Sequence, residues 1–333
     1  MTSKPKVAVI GTGGTITSLG KGPLDLFEYT ATGKMLEADE MVEKFSDVKT
    51  VADVLPIRFK AVPSTAVAFP EWKHVVIAAD KVVAEHPDLA GIVVLHGTAT
   101  LEETAYALHL TAKVKVPIVV VGAQRPASAL STDAGLNLVN AVRTAASPEA
   151  RGLGVLVCLN DELQSPREVT KTSTSRLQTF RSPDFGVLGH ADGDIVTFYR
   201  KPIRKGAPDT EFDIRNLDAL PRVDIAYSYA GDDGTAVRAF VAAGAKGIVM
   251  AAFAPGMVSP PESEALKEAH AAGVVVMMSS RAGSGRVFNS SKIREAGFLT
   301  ADNLTPQKAR ILLSLALTKT KDPAEIRRIF ATY

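Results

Sequence analysis

Cysteine is almost missing from this chain of 333 residues, with Cys158 its single representative. One thiol excludes an intramolecular disulfide and any cysteine metal cluster. Its place after the apolar run Gly154, Val155, Leu156, Val157 predicts a small buried side chain. Neither sign of charge dominates. The 38 Lys and Arg against 36 Asp and Glu leave a net charge of +2, which calls for no polyanionic partner and argues against nucleic acid binding. Long apolar runs are also absent. No stretch reaches the roughly 18 residues of a membrane span, and the opening run near Val7 meets glycines before it attains the length of a signal-peptide core. The expectation is a cytoplasmic protein that does not engage a membrane. Histidines do not gather either: His74, His86, His109, His190 and His270 are scattered without an i, i+4 partner, so no catalytic metal is expected. The G-x-S-x-G elbow of an α/β-hydrolase is missing as well.

What is present is a regular alternation. Short Val- and Ile-rich runs, KVAVIG from Lys6, AGIVVLHG ending at Gly97, VPIVVVGA ending at Ala123 and GLGVLVCLN ending at Asn160, lack polar alternation and read as buried parallel strands. Between them lie amphipathic helical stretches over 71–86, 101–112 and 131–147. The pattern predicts an α/β fold with an open, mostly parallel sheet flanked by helices. The rhythm breaks after Tyr199 in a segment rich in charge and proline. We therefore expect an N-terminal α/β catalytic domain over 1–200, a linker over 201–221 and a smaller C-terminal α/β domain over 222–333. A chain of this length buries about 75% of its unfolded surface and needs no covalent staples.

Three polar clusters stand out against that apolar frame. The first strand runs into IGTGGTITSLGKG, a glycine and hydroxyl cluster at the carboxyl end of a strand, where open α/β sheets bind ligands. Neither nucleotide fingerprint fits. A dinucleotide loop needs Gly where Ile16 stands, and a phosphate loop needs Gly in place of Thr15 and Ser or Thr in place of Gly22. The remaining reading is a turn with Thr12, Thr15 and Thr17 at its mouth, either an ordinary turn or a nucleophile site if a base is near. A second strand ends in His96, Gly97, Thr98, Ala99, Thr100. Here Thr100 with Glu103 predicts a capping box, and His96 reads first as a structural residue. The third cluster places Lys171 among Thr170, Thr172, Ser173 and Thr174. It is either a solvated surface charge or a partly desolvated base.

Taken together, TGGTI at 12–16, HGTAT followed by EETA from His96, VGAQRP from Val121, VTKTSTS from Val169 and the C-terminal PQKARILLSLALTKTKDPAEIRRIF resemble the bacterial L-asparaginase and glutaminase-asparaginase family. Five motifs in order span essentially the whole chain. The resemblance implies a two-domain asparaginase-type fold and hydrolysis of a side-chain carboxamide to carboxylate and ammonia, with water as co-substrate and no cofactor. It also implies a homotetramer built as a dimer of dimers. It makes Thr15 the primary nucleophile, assisted by Tyr29 from a mobile loop, and pairs Thr98 with Lys171 as the second half of the catalytic set. Ser64, Thr65, Ala99, Gly14, Gly97, Ala123 and Met257 fall at the positions that line the substrate pocket.

The departures from the family pattern are selective. Where the family has an aspartate that meets both the lysine and the substrate's α-ammonium, this chain has Ala99. Thr65 stands for a glutamine, Met257 for an asparagine, and the segment GRVFNSSK carries no acid where a neighbouring subunit normally supplies one. A charged hydrogen bond is worth about 1.5–3 kcal/mol, so losing two or three costs asparagine on the order of 10³-fold in kcat/KM. The expected substrate is thus an amide, imide or lactam without an α-ammonium, cleaved by covalent acyl-enzyme hydrolysis, with Ser64 left to bind a carboxylate. Two alternatives stay open. One is a true L-asparaginase that binds the ammonium through Asp133, Glu262 or Glu264, and the other is a non-catalytic binding protein of the same fold. Loss of the aspartate also predicts a lowered pKa for Lys171.

Overall fold

The computed structural model describes residues 4–333, which divide into a unit ending at Asn216 and a unit running from Leu217 to Tyr333. In the first unit β1 (Lys6–Gly11), β2 (Asp53–Ile57), β3 (Leu89–Leu95), β4 (Ile118–Val121) and β5 (Val155–Leu159) pair in parallel in the order β2-β1-β3-β4-β5. The sheet then continues antiparallel through β6 (Glu162–Gln164), β9 (Gly189–Asp192) and β10 (Ile195–Phe198). A short hairpin of β7 (Thr170–Lys171) and β8 (Phe180–Arg181) stands outside this sheet. The α/β class with a mostly parallel sheet is thereby borne out.

Val7, Val9, Val93, Leu95, Val119 and Val121 from the central strands join one buried cluster with Leu138 and Val142 of the helix Ala134–Ala146. Full burial of each such side chain is worth about 1.5–3 kcal/mol, which is why these runs can forgo polar alternation. Cys158 lies in this cluster, and burial pushes its thiol up to about 12. The helix Leu101–Thr111 differs from the amphipathic expectation, because all of its residues except Glu103 are buried. It behaves as a core helix rather than a half-exposed one. The strand β2 was not anticipated at all. It contains Pro56, which cannot donate to a ladder and is tolerated here because β2 is the edge strand.

Register decides where ligands meet the sheet. Gly11 lies opposite Leu95, Leu95 opposite Val121, and Val121 opposite Cys158, so these four strands end along one rim. The strand order reverses between β1 and β3, whose continuations leave the sheet in opposite directions and open a crevice at their carboxyl ends.

The second unit is a four-stranded parallel sheet in the order β11 (Val223–Tyr227), β12 (Gly247–Ala252), β13 (Val275–Ser280), β14 (Leu299–Thr300). Its helices carry clear start signals. Ser259 caps Pro260–Ala271 in a reciprocal box with Glu262, and Asp322 caps Pro323–Thr332. No helix among the described residues is long and apolar enough to cross a membrane.

Candidate active site

The crevice between β1 and β3 is formed by close backbone approach. Gly13 and Gly14 take φ values of 101° and 91°, a region that disfavours side chains. A Cβ on Gly14 would lie 2.1 Å from the Gly97 Cα, and one on Gly97 would lie 2.7 Å from the Ser64 side chain. Three chain segments thus pack directly, Gly14 on Gly97 backbone to backbone and Gly97 against the Ser64 side chain. Thr12 fastens the turn, its N–H and its hydroxyl both donating to the Leu95 carbonyl at 3.0 and 2.7 Å. The consequence is that Thr15, which opens the short 3₁₀ turn Thr15–Thr17, and Thr98, just beyond β3, face one cavity.

That cavity has a volume of about 340 Å³, and its lining includes Thr15, Tyr29, Ser64, Thr98, Ala99 and Lys171. Gly14 and Thr65 line it too. Of the residues singled out in the sequence, Gly97 contributes as the backbone contact of Gly14, and Ala123 is a fully buried residue next to Gln124. Met257 belongs to the second unit, where it is exposed and lines a separate cavity with Val258, Lys267 and Phe298.

Two hydroxyl pairs face the shared space. The Thr15 Oγ1 and the Tyr29 hydroxyl lie 2.9 Å apart. Tyr29 comes from the short turn Tyr29–Thr32, held by the Thr32 hydroxyl donating to the carbonyls of Leu19 and Tyr29 and by the Glu28 N–H donating to Asp25. In the other pair the Lys171 Nζ donates to the Thr98 Oγ1 at 2.8 Å. Burial pushes the Lys171 amine below its ordinary value, against the opposing pull of the Glu102 carboxylate. The hydroxyl-rich neighbours of Lys171 do not surround its amine. Thr172 donates to the Thr179 carbonyl to close the hairpin, and Thr170 donates to Glu102.

The structure adds residues that sequence reasoning passed over. Gln124 accepts from both Thr98 Oγ1 (3.0 Å) and Lys171 Nζ (3.2 Å), and Glu102 accepts the Lys171 backbone N–H at 3.3 Å. The available signal for Gln124 was positional, since it follows the carboxyl end of a buried strand. Glu102 stood beside the capping box expected of Thr100 and Glu103, in which Thr100 does not take part: its hydroxyl donates to the Ser64 carbonyl instead, at 2.6 Å. The three acids considered for ammonium binding are engaged elsewhere. Asp133 accepts the N–H groups of Gln124 and Arg125, both at 2.9 Å, Glu262 is fully buried with Ser228, and Glu264 pairs with Lys267 on the surface. His96 is buried, with Nδ1 donating to the Gly97 carbonyl at 2.8 Å, and burial drives its pKa down to about 4. It is a structural residue of the β3 end.

A crevice at this switch point with two hydroxyls, a partly desolvated lysine and no residue set among the described residues suited to a metal has the outline of an acyl-transfer hydrolase site. The chain matches the family model "Asparaginase, N-terminal" over residues 6–204 and "Glutaminase/Asparaginase C-terminal domain" over residues 222–330, and it belongs to the asparaginase family. It is a hydrolase of amide C–N bonds. It is 41% identical over 331 residues to the L-asparaginase 2 of Bacillus subtilis (strain 168), covering 99% of this chain and 87% of that one. It is 38% identical over 337 residues to the glutaminase-asparaginase of Pseudomonas fluorescens biotype A, covering 100% of this chain and 91% of the relative. Among solved structures, a probable cytoplasmic L-asparaginase from Campylobacter jejuni superposes with a TM-score of 0.94 at 38% identity, covering 99% of this chain and 100% of that one.

Proposed function

We propose that this chain hydrolyses a small carboxamide through Thr15, with L-asparagine as the substrate that the relatives' names support. The observation that carries the reading is the single cavity that gathers the Thr15–Tyr29 pair and the Thr98–Lys171 pair. In the acylation step Thr15 Oγ1 attacks the amide carbon and passes its proton to the Tyr29 oxygen. Tyr29 hands its own proton to the departing nitrogen, so ammonia leaves and an ester remains on Thr15. Water then attacks the ester, giving its proton to Lys171 through Thr98. The C–O bond to Thr15 breaks as Thr15 Oγ1 takes a proton from Tyr29, the Tyr29 oxygen recovers the proton held on Lys171, and the carboxylic acid departs. The lowered pKa of Lys171 supports this role, since only the neutral amine accepts a proton.

A second reading has its own observation. The lining contains Lys34 and Lys171 but no carboxylate, and Ala99 and Thr65 offer nothing to an α-ammonium. That composition favours a carboxylate-bearing amide without an amino group. Ammonia release from L-asparagine and from succinamate, its analogue lacking the ammonium, separates the two. Faster turnover of asparagine supports the first reading, faster turnover of succinamate supports the second, and release that survives Thr15→Ala removes both. The segment 201–221 is read as the linker, supported at its far end by the family model that begins at 222, while the N-terminal model reaches 204 and the first unit reaches Asn216. A cytoplasmic location is in keeping with the name of the Campylobacter structure, and the assembly proposed is a dimer of dimers.

A further inference from the structure

Gln124 makes the Thr98–Lys171 pair a triad, and its orientation is determined by chemistry. Its Nε2 lies 3.1 Å from the carbonyl oxygen of Arg176, a group that only accepts. Its other end lies 3.0 Å from Thr98 Oγ1 and 3.2 Å from Lys171 Nζ. Reversing the carboxamide would set carbonyl against carbonyl and an NH₂ against an amine, so the oxygen must face Thr98 and Lys171. The backbone of Gln124 is itself held, its N–H donating to Asp133 Oδ2 at 2.9 Å.

We propose that Gln124 is a positioning residue that sets the direction of proton transfer between Thr98 and Lys171. Because Oε1 takes the Thr98 hydroxyl proton while Lys171 is charged, a Thr98 lone pair is left for Nζ–H and the amine is held at 2.8 Å. When Lys171 loses a proton, the Thr98 hydroxyl rotates to donate to Nζ, and Gln124 keeps an Nζ–H bond that prevents the amine from swinging away. A neutral acceptor serves this purpose without the strong stabilisation of the ammonium that a carboxylate at the same place would bring. The other ionisable groups around the amine are Glu102, from the first turn of the helix Leu101–Thr111, and Tyr29 and Lys34, which line the same cavity. Arg125 and Arg176 flank the Gln124 contacts, and Arg125 donates to the Ser131 carbonyl.

The inference rests on the proposed role of Lys171, and the test separates the two. The full chain and its Gln124→Glu, Gln124→Met and Lys171→Met variants are compared by kcat for ammonia release across pH 5–11, with the amide best turned over by the wild type. The wild-type profile is expected to show a limb that vanishes in Lys171→Met. Gln124→Glu, nearly isosteric, should move that limb up by about one pH unit or more, because an opposite charge at this range favours the ammonium. Gln124→Met should move it down and cut kcat by about tenfold with KM nearly unchanged, the cost of one hydrogen bond to a charged group. A limb that vanishes in Lys171→Met yet stays in place in both Gln124 variants overturns the inference alone. A limb that persists in Lys171→Met overturns the role of Lys171 and the inference with it. If Gln124→Met fails to fold, the limb of Gln124→Glu decides.

Discussion

The two hydroxyl pairs of the cavity are built differently. Thr98 stands just beyond a strand buried from Gly91 to Leu95, and its partners Lys171 and Gln124 are anchored by Glu102, Arg176 and Asp133. Thr15 has a phenol for a partner, and that phenol sits in a segment whose Leu24 and Phe27 are 76% and 80% exposed. One pair is therefore held by the sheet frame and includes Lys171, the proposed base. The other depends on a surface turn and offers a hydroxyl reachable from outside. A site divided in this way can admit substrate on its loose side and keep the geometry of proton transfer on its rigid side.

The strongest way to break this comparison is to exchange the losses. Thr15→Ala should lower kcat by at least about 10³-fold, because no covalent intermediate forms without the nucleophile. Thr98→Ala should instead slow deacylation, so that quenched reactions accumulate an acyl adduct by intact mass that peptide mapping places on Thr15. An adduct that accumulates in Thr15→Ala and maps to Thr98 would reverse the assignment of the two pairs. Lys171→Met should cost about 10³-fold in kcat if general base catalysis runs through it.

Acid should reach the rigid side first. His96, beside Thr98, and His109, whose Nδ1 accepts the Val155 N–H, both have pKa values driven from 6.5 to about 4 by burial. With the folded pKa below the unfolded one, the unfolded chain binds more protons between pH 6.5 and 4, so stability is present above that window and is lost as pH falls through it. Each histidine should remove about 3 kcal/mol across the window, read as a fall in the urea midpoint between pH 7 and pH 4. A midpoint independent of pH over that range would contradict the burial of both rings. The smallest effect on stability is expected on the loose side. Tyr29→Phe should reduce kcat by about 10²-fold, the scale of a lost proton relay, and leave the melting temperature unmoved because the turn has no buried residue.

Much of the frame was legible before any coordinates. Four parallel strands were readable because burial on both faces forces unbroken Val and Ile runs, and Cys158 was readable as buried for the same reason. The edge strand β2 was not, since Pro56 and its half-buried pattern send the opposite signal. Helix 101–111 looked amphipathic because Glu102 and Glu103 stand at its start, although Glu102 is buried to meet Lys171 and Thr170. In the site, hydroxyls and a lysine at strand ends and among glycines drew attention to Thr15, Thr98 and Lys171 but left each open, and the family resemblance joined them into one candidate set that lines one cavity. Gln124 and Glu102 were not singled out for the site, since a glutamine after a strand and a glutamate in the first turn of a helix look ordinary until their partners are known, and Asp133, considered for the ammonium, instead holds the backbone of Gln124 and Arg125.

By itself the sequence determined the α/β class and the central buried strands, because periodicity is a local property, and its motifs carried the resemblance that pointed to the candidate site residues. Tertiary structure decided which of those groups meet. The approach of Gly14 to Gly97 and the Gln124 bridge between Thr98 and Lys171 join residues tens of positions apart, and Asp133 reaches back nine residues to hold Gln124. Such contacts depend on strand order and register, which set distances that no local pattern encodes.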